Sequence, residues 1–300
     1  MVIGLGGGST MDTGKAVSVL LANPGDLFDY LEIVGAGHAF NKPSVPYLAI
    51  PTTAGTGSEV TRNAVIAVPD QLLKVSLRSP LMLPRIAVID PELTYSLPPD
   101  ITAQTGLDAL TQLIEPFVCN APTPITDSVC RDGIPRIARS LLAACKNGQD
   151  KDARENMSLA SLFGGIALAN ARLGAVHGLA SPLGGMLPVP HGAICARLLP
   201  IVMNANINAL RNLQMDSQAL DRYGEIAQLL TGDASATPED GIEWIRKLCH
   251  GVKIRPLAEF GLKTSLFPEI VSQAQKASSM KGNPVSLTDN ELLEILENAV

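Results

Sequence analysis

The opening fifteen residues, MVIGLGGGSTMDTGK, limit the fold more than any other stretch, because an apolar run leads directly into a glycine cluster and then a helical sequence. This order predicts a β-strand, a tight turn and an α-helix. Gly6, Gly7 and Gly8 leave backbone N–H groups open to a phosphate, and Ser9 is expected to be the N-cap. Ser9 stands where a strict G-x-G-x-x-G motif has its third glycine. A tight turn without a ligand therefore explains this loop equally well.

A second glycine loop follows the next predicted strand. VPYLAIP reads as the strand and TTAGTGSE as the loop, in which Thr52, Thr53 and Thr56 offer hydroxyl groups. Carboxyl ends of neighbouring parallel strands meet at one sheet edge, where dinucleotides bind. The two loops are therefore predicted to lie side by side at a nucleotide site. A solvated turn is the alternative interpretation of the second loop.

The chain changes character near Pro98–Asp100. Before this point NAVIAV and LKVSL, joined by PDQL, predict a hairpin, and RIAVID predicts a further strand. After it, helical periodicity dominates and strand-like stretches are almost missing. We predict a partial α/β nucleotide-binding domain with a parallel sheet over residues 1–99, followed by an all-α metal-binding domain over 100–300. A substrate site is expected between the two domains.

Composition excludes several classes of protein. The net charge of −6, without a Lys/Arg cluster, argues against a nucleic-acid partner. No apolar run reaches the ~18–20 residues that span a bilayer, so no membrane association is expected. The sequence shows no signal peptide, and its five cysteines are scattered without CxxC spacing. We therefore expect a cytoplasmic protein with reduced core thiols.

The helical half contains four side chains that suit a metal site. Asp108 and Gln112 are four residues apart, which puts both on one helix face. His177 lies in a helical stretch, and His191 follows a Gly/Pro-rich break. One carboxylate and two imidazoles, with a position left for substrate, are typical of a catalytic divalent metal.

Each of these residues also has a structural interpretation. Thr105 and Asp108 fit a capping box at a helix start. His177 has apolar neighbours and could be a hydrogen-bonded core histidine. His38 and His250 stand apart from such groups, so we interpret them as loop or surface residues.

Four blocks of this sequence, in their order and spacing, resemble the iron-containing (group III) alcohol dehydrogenases. The blocks are GGGSTMDTGK, PTTAGTGSEVT, TGLDALTQLIE and VHGLASPLGGMLPVPHG, and MKGNPVSLTDNELLEIL is similar to the family's closing Asn-Pro segment. The resemblance implies a dehydroquinate synthase-like fold with a cleft between an NAD(P)-binding domain and a helical metal domain. It also implies hydride transfer between NAD or NADP and a small alcohol or aldehyde, in a homo-oligomer that is commonly a dimer.

The resemblance implies roles for individual residues. Those expected to meet the cofactor's pyrophosphate and ribose are Gly6, Gly7, Gly8, Ser9 and Asp12. Those expected beside the nicotinamide are Thr52, Thr53 and Thr56, with Asn63 and Lys74 reaching ribose hydroxyls. Three of the four family metal ligands are matched by Asp108, His177 and His191. Fe²⁺ is the expected metal and Zn²⁺ the alternative, acting as a Lewis acid on the substrate oxygen.

Two positions depart from the family pattern. Gln112 stands where the family usually has the fourth histidine ligand; its amide oxygen could coordinate, although more weakly than imidazole. Ser181 replaces a further histidine near the nicotinamide, so a proton is expected to leave through water or a ribose hydroxyl. The change at Gln112 favours one alternative function, a metal-independent reductase similar to maleylacetate reductase.

The family also has strands before the glycine loop that this chain does not contain. We therefore expect an exposed apolar edge on its parallel sheet. An inactive truncated fragment is the corresponding alternative function. Dehydroquinate synthase and glycerol-1-phosphate dehydrogenase share the fold, but PTTAGTGSEVT and PHG are more similar to the alcohol dehydrogenases.

Overall fold

The computed structural model describes residues 1–71, 73–213 and 218–300, so Leu72 of the predicted PDQL turn lies outside the described residues. The strands are β1 (Val2–Gly6), β2 (Tyr47–Pro51), β3 (Asn63–Val68), β4 (Leu73–Arg78) and β5 (Ile86–Ala87). The first helices are α1 (Gly8–Leu20), α2 (Leu27–Tyr30), α3 (Pro99–Val118), α4 (Pro124–Lys146), α5 (Lys151–Asn170) and α6 (Ala175–Met186). They are followed by α7 (His191–Asn212), α8 (Gln218–Thr231), α9 (Pro238–Gly251), α10 (Phe267–Lys276) and α11 (Asp289–Ala299).

Strands β1, β2 and β5 form a parallel sheet in that order. Tyr47 and Ala49 of β2 are buried towards α1, together with Met11. β5 is shorter than the RIAVID run, although the Val88 N–H still donates to the Ala49 carbonyl at 2.9 Å. Strands β3 and β4 form the predicted antiparallel hairpin. The predicted parallel α/β part, followed by helices, is therefore confirmed.

One face of the parallel sheet is apolar and exposed. Ile3 and Leu5 of β1 are 55% and 59% exposed, and Ile86 of β5 is 57% exposed. Side chains alternate between the two faces of a strand, so these residues lie opposite the face that packs on α1. The predicted feature was an exposed edge; on the described sheet the exposed apolar side chains lie on a face, and β1 is the outer strand at one end.

The start of α1 corrects the N-cap prediction. Gly7, not Ser9, is the N-cap, and its carbonyl accepts the Met11 N–H at 3.1 Å. Ser9 is already inside the helix and is exposed. A Cβ on Gly8 would lie only 2.8 Å from the Thr56 methyl group. The helix therefore begins at the glycines because they alone allow this close packing.

Lys15 ties α1 to the second glycine loop, a contact that the sequence did not indicate. Its buried Nζ donates to the carbonyl oxygen of Ser58 at 2.9 Å, to its Oγ at 2.6 Å, and to Thr61 Oγ1 at 2.9 Å. Asp12 lies 3.2 Å from the same nitrogen. Burial lowers the pKa of Lys15, although the nearby Asp12 carboxylate opposes that shift. Breaking such a buried ion pair typically costs about 3–5 kcal/mol.

Helices α3 to α11 pack around one apolar core. α3 lies at its centre, and from Gly106 to Val118 each of its residues is buried. Thr105 lies inside α3, where its hydroxyl donates to the Ile101 carbonyl at 2.9 Å. The capping-box interpretation of Thr105 and Asp108 is therefore wrong, because the helix starts at Pro99.

Among the described residues, helix α7 is long and apolar enough to cross a bilayer by length and composition. The bent pair α5–α6 passes the same test if it is counted as one span. In α7, 72% of the most apolar window is buried inside the protein. That environment is typical of a core helix, which explains its hydropathy without a membrane.

Gly57 offers a stability test at the contact between the second loop and α5. Its φ of 58° is left-handed, and a Cβ there would collide with the Gly165 backbone. Gly57→Ala is expected to destabilise the fold by about 3 kcal/mol or more, from strain plus displaced backbone. Gly232→Ala is the matched control, because Gly232 has φ 74° with open space around it. Thermal unfolding of both variants measures the difference; equal melting temperatures would contradict the close contact.

Candidate functional site

The two glycine loops lie side by side, as predicted. The Thr52 N–H donates to the Gly6 carbonyl at 2.9 Å, where β1 and β2 end. A Cβ on Gly7 would lie 3.1 Å from the Thr53 methyl group, and Thr56 packs against Gly8 in the same way. The missing side chains on the first loop are therefore what allow the threonines of the second loop to approach it.

The N-terminus of α1 suits a pyrophosphate. Among the described residues no side chain caps this end, and the first turn has no acidic residue. Ser9 and Thr10 are exposed there. The first N–H groups of a helix lack intrahelical acceptors, and the helix dipole favours an anion beside them. The loop therefore fits the phosphates of a dinucleotide. The predicted contacts of its residues with the cofactor stay predictions.

Asp12 holds several parts of the nucleotide domain together. Its Oδ1 accepts a hydrogen bond from Ser58 Oγ at 2.5 Å and faces Lys15, while Oδ2 accepts the Val65 N–H at 2.9 Å. Both carboxylate oxygens therefore have partners within the protein. Asp12 therefore has a positioning role. Its contact with the cofactor stays a prediction.

Asn63 and Lys74 lie far apart on the β3–β4 hairpin. Asn63 begins β3, whereas Lys74 pairs with Ala67 four residues further along. That separation is roughly 13 Å along the strand. The Lys74 ammonium lies 3.1 Å from the position that a Cβ on Gly184 of α6 would take. The hairpin therefore directs Lys74 towards the helical domain, whereas Asn63 lies at the opposite end of β3.

Asp108, His177 and His191 come together from α3, α6 and α7. His177 Nε2 and His191 Nε2 each lie 3.6 Å from Asp108 Oδ1. Two donors bound at about 2.1 Å to one tetrahedral ion lie roughly 3.4 Å apart, so these separations suit a metal. Cys195 joins them, and all four donor atoms lie within 4.8 Å of one another.

Gln112 supports Asp108 from the next turn of α3. Its Nε2 donates to Asp108 Oδ2 at 3.2 Å, which leaves Oδ1 directed at the histidines. Its Oε1 lies 3.5 Å from the position that a Cβ on Gly164 would take. In this orientation Gln112 presents an N–H group to the carboxylate; its predicted role as a metal ligand stays a prediction.

Glu115 completes the cluster, although the sequence analysis did not identify it. Glu115 Oε2 lies 2.6 Å from His177 Nδ1, and Oε1 accepts the Val176 N–H at 2.7 Å. A carboxylate on Nδ1 fixes the ring so that Nε2 faces Asp108. The available signal was spacing, because Glu115 follows Asp108 by seven residues, or two helical turns, on one face of α3.

The charges of this cluster favour a cation. Burial opposes charge on His177, but the Glu115 and Asp108 carboxylates outweigh it and raise the pKa of His177 to about 10. Burial also opposes charge on Asp108, yet His191 and His177 hold the pKa of that carboxyl below its usual value. Burial is the main cause that raises the pKa of the Cys195 thiol, and the Asp108 and Glu115 carboxylates shift it in the same direction.

Unpartnered buried atoms supply the test of whether these residues fit a metal. Asp108 Oδ1, His177 Nε2 and Gln112 Oε1 have no hydrogen-bond partner within the described ranges, although all three are buried. Unsatisfied buried polar atoms cost about 1–3 kcal/mol each. A divalent ion among Asp108, His177 and His191 would satisfy the first two, so the residues present fit the metal.

Ser181 lies one turn after His177 on α6, beside the hairpin. Its hydroxyl is half-buried and lies 3.5 Å from the Lys74 carbonyl. Burial lowers the pKa of Lys74, and burial is also the main cause that lowers the pKa of His191, with a smaller effect of the Lys74 charge in the same direction. Lys74 and Ser181 therefore join the hairpin to the edge of the metal cluster. His38 and His250 are exposed, as predicted, and neither belongs to the cluster.

Two family models together match almost the whole chain. Residues 1–91 match the model described as iron-containing alcohol dehydrogenase, and residues 102–300 match the C-terminal model of the Fe-containing alcohol dehydrogenase family. Alcohol dehydrogenase 4 of Saccharomyces cerevisiae is 39% identical over 300 residues, which cover 100% of this chain and 75% of the yeast protein.

Solved structures share the same fold. The crystal structure of a 1,3-propanediol oxidoreductase superposes with a TM-score of 0.91 at 34% identity, over 99% of this chain and 76% of that one. A sulfoacetaldehyde reductase from Bifidobacterium kashiwanohense, solved in complex with NAD⁺, gives a TM-score of 0.87 at 30% identity, over 99% and 75% of the two chains. The predicted fold class is confirmed by these similarities.

Proposed function

The chain belongs to the iron-containing alcohol dehydrogenase family, and on that premise we propose that it transfers a hydride between NAD or NADP and a small alcohol or aldehyde, with a divalent metal at Asp108, His177 and His191. The observation that carries the proposal is the convergence of three donors, two of them buried without a hydrogen-bond partner among the described residues. The relatives' names support the substrate class, and the NAD⁺ complex of one neighbour supports the cofactor.

The nucleotide domain would hold the cofactor, which supplies or accepts the hydride when bound. The open N-terminus of α1, with Gly6 to Ser9, would bind the pyrophosphate. Thr52, Thr53 and Thr56 would lie beside the nicotinamide, because their loop runs between α1 and the helical domain. Lys15 and Asp12 keep that loop in place through Ser58.

The helical domain would polarise the substrate oxygen. A bound divalent ion, Fe²⁺ by family and Zn²⁺ as the alternative, supplies Lewis acidity that stabilises an alkoxide. Gln112 orients Asp108, and Glu115 orients His177, so the donors are fixed before substrate arrives. Ser181 is a poor base near neutral pH, so the proton would leave through water or a ribose hydroxyl. Homo-oligomerisation and a cytoplasmic location stay predictions.

Reduction of a panel of small aldehydes by NADH and NADPH tests the proposal, with the fall in nicotinamide absorbance as the readout. We expect turnover with at least one aldehyde. Dialysis against a chelator should abolish it, and addition of a divalent metal should restore it. Unchanged turnover after verified metal removal would contradict the metal's role and favour a metal-independent reductase.

A further inference from the structure

Cys195 is the chemical feature of this cluster that the proposed function leaves unused. It lies on α7 one turn after His191, so both side chains project from the same helix face. Cys195 is fully buried, and its Sγ lies 3.6 Å from His191 Nε2. Its sulfur and the Asp108 carboxylate belong to one group of donor atoms, all of which lie within 4.8 Å of one another.

We propose that Cys195 is the fourth protein ligand of the metal, in an Asp108–His177–His191–Cys195 set that takes Zn²⁺ in preference to Fe²⁺. The inference rests on the proposed function only in requiring a metal at this cluster. Its basis is geometric, because the sulfur lies within 4.8 Å of the three other donor atoms. Thiolate sulfur is a soft ligand that favours zinc over the harder ferrous ion.

Independent observations point to a ligand at this place. Asp108 Oδ1 and His177 Nε2 are buried and have no hydrogen-bond partner in the part of the chain that the structure describes. Both side chains are more than nine-tenths buried and lie in the same cluster as Cys195. The sulfur therefore shares its site with two donors that need a partner of their own.

Gln112 supports Asp108, whereas Cys195 places its sulfur among the donor atoms of the cluster. Gln112 directs its amide nitrogen at Asp108 Oδ2, and this hydrogen bond holds the carboxylate in place. Cys195 approaches from α7, on the side of His191. On binding, the thiol would release its proton to solvent and coordinate as the thiolate.

The spectrum of the Co²⁺-substituted protein tests this assignment without reference to turnover. Co²⁺ gives visible d–d bands in a protein site, and a thiolate ligand adds an intense near-ultraviolet charge-transfer band. We expect both in the unaltered protein and in Cys130→Ser, the matched control, because Cys130 is equally buried but lies on α4. Cys195→Ser should lose the charge-transfer band.

Metal competition supplies a second readout. Against a chromophoric chelator, Cys195→Ser should bind Zn²⁺ at least about 10–100-fold more weakly than the unaltered protein, while Fe²⁺ affinity changes less. Visible Co²⁺ bands without a charge-transfer band in the unaltered protein would overturn the thiolate ligand and leave the proposed function intact. Failure of the folded chain to bind Co²⁺ or Zn²⁺ would overturn both the thiolate ligand and the metal of the proposed function. Because the unaltered protein decides the matter, a misfolded variant would not obscure the result.

Discussion

His177→Ala is expected to lower turnover by about a thousandfold or more, while the affinity for reduced nicotinamide cofactor stays nearly unchanged. His177 supplies one of the donors beside Asp108 and is itself held by Glu115. Its loss removes metal affinity and with it a Lewis-acid contribution of several kcal/mol, and about 4 kcal/mol corresponds to a thousandfold in rate. The cofactor loops lie on the other domain, so their hydrogen bonds do not depend on this ring.

Steady-state kinetics and calorimetric titration with NADH measure the two quantities separately. His250→Ala is the matched control, because His250 is an exposed histidine at the end of α9 and should change neither. Near-normal turnover by His177→Ala would show that the metal site is assigned to the wrong residues. A parallel loss of NADH binding would instead indicate that the helical domain helps to hold the cofactor.

Local patterns were sufficient to predict much of the fold. The short β-branched runs before the two glycine loops became β1 and β2, and the apolar periodicities after Pro98 became α3, α4 and α5. Adjacent parallel strands then bring the loops together without further information. The N-cap was misassigned to Ser9, because residue preference favours serine there and only tertiary packing of Gly8 on Thr56 moves the helix start.

The site was only partly predictable, for a physical reason. Asp108, His177 and His191 are polar residues in apolar surroundings, so they stand out in the sequence. Cys195 does not stand out in the sequence, because a buried thiol in an apolar helix resembles an ordinary core residue. Its neighbourhood depends on the packing of α7 against α3, which no local pattern encodes. Lys15 escaped notice similarly, because a lysine on a helix is expected in solvent.

Glu115 shows how a residue that touches no substrate can still control the site. Its two oxygens each accept one hydrogen bond, from the Val176 N–H and from the N–H of His177 at Nδ1. A glutamine of the same shape has a single acceptor oxygen and an NH₂ group. With a metal on Nε2, His177 would carry its ring proton on Nδ1, so in Glu115→Gln one of the two donors must face another donor. The His177 ring would lose the partner that fixes its orientation, although the site keeps its volume.

Glu115→Gln is consequently expected to weaken metal binding by about 10–100-fold, the usual cost of losing an outer partner of a histidine ligand. Chelator competition measures that affinity, and thermal unfolding checks that the fold survives a mismatch worth about 1–3 kcal/mol. Glu155→Gln, an exposed carboxylate on α5, is the control and should bind metal like the unaltered protein. Unaltered affinity in Glu115→Gln would mean that His177 is held by its helix alone, since the carboxylate would then contribute nothing to the ring's orientation.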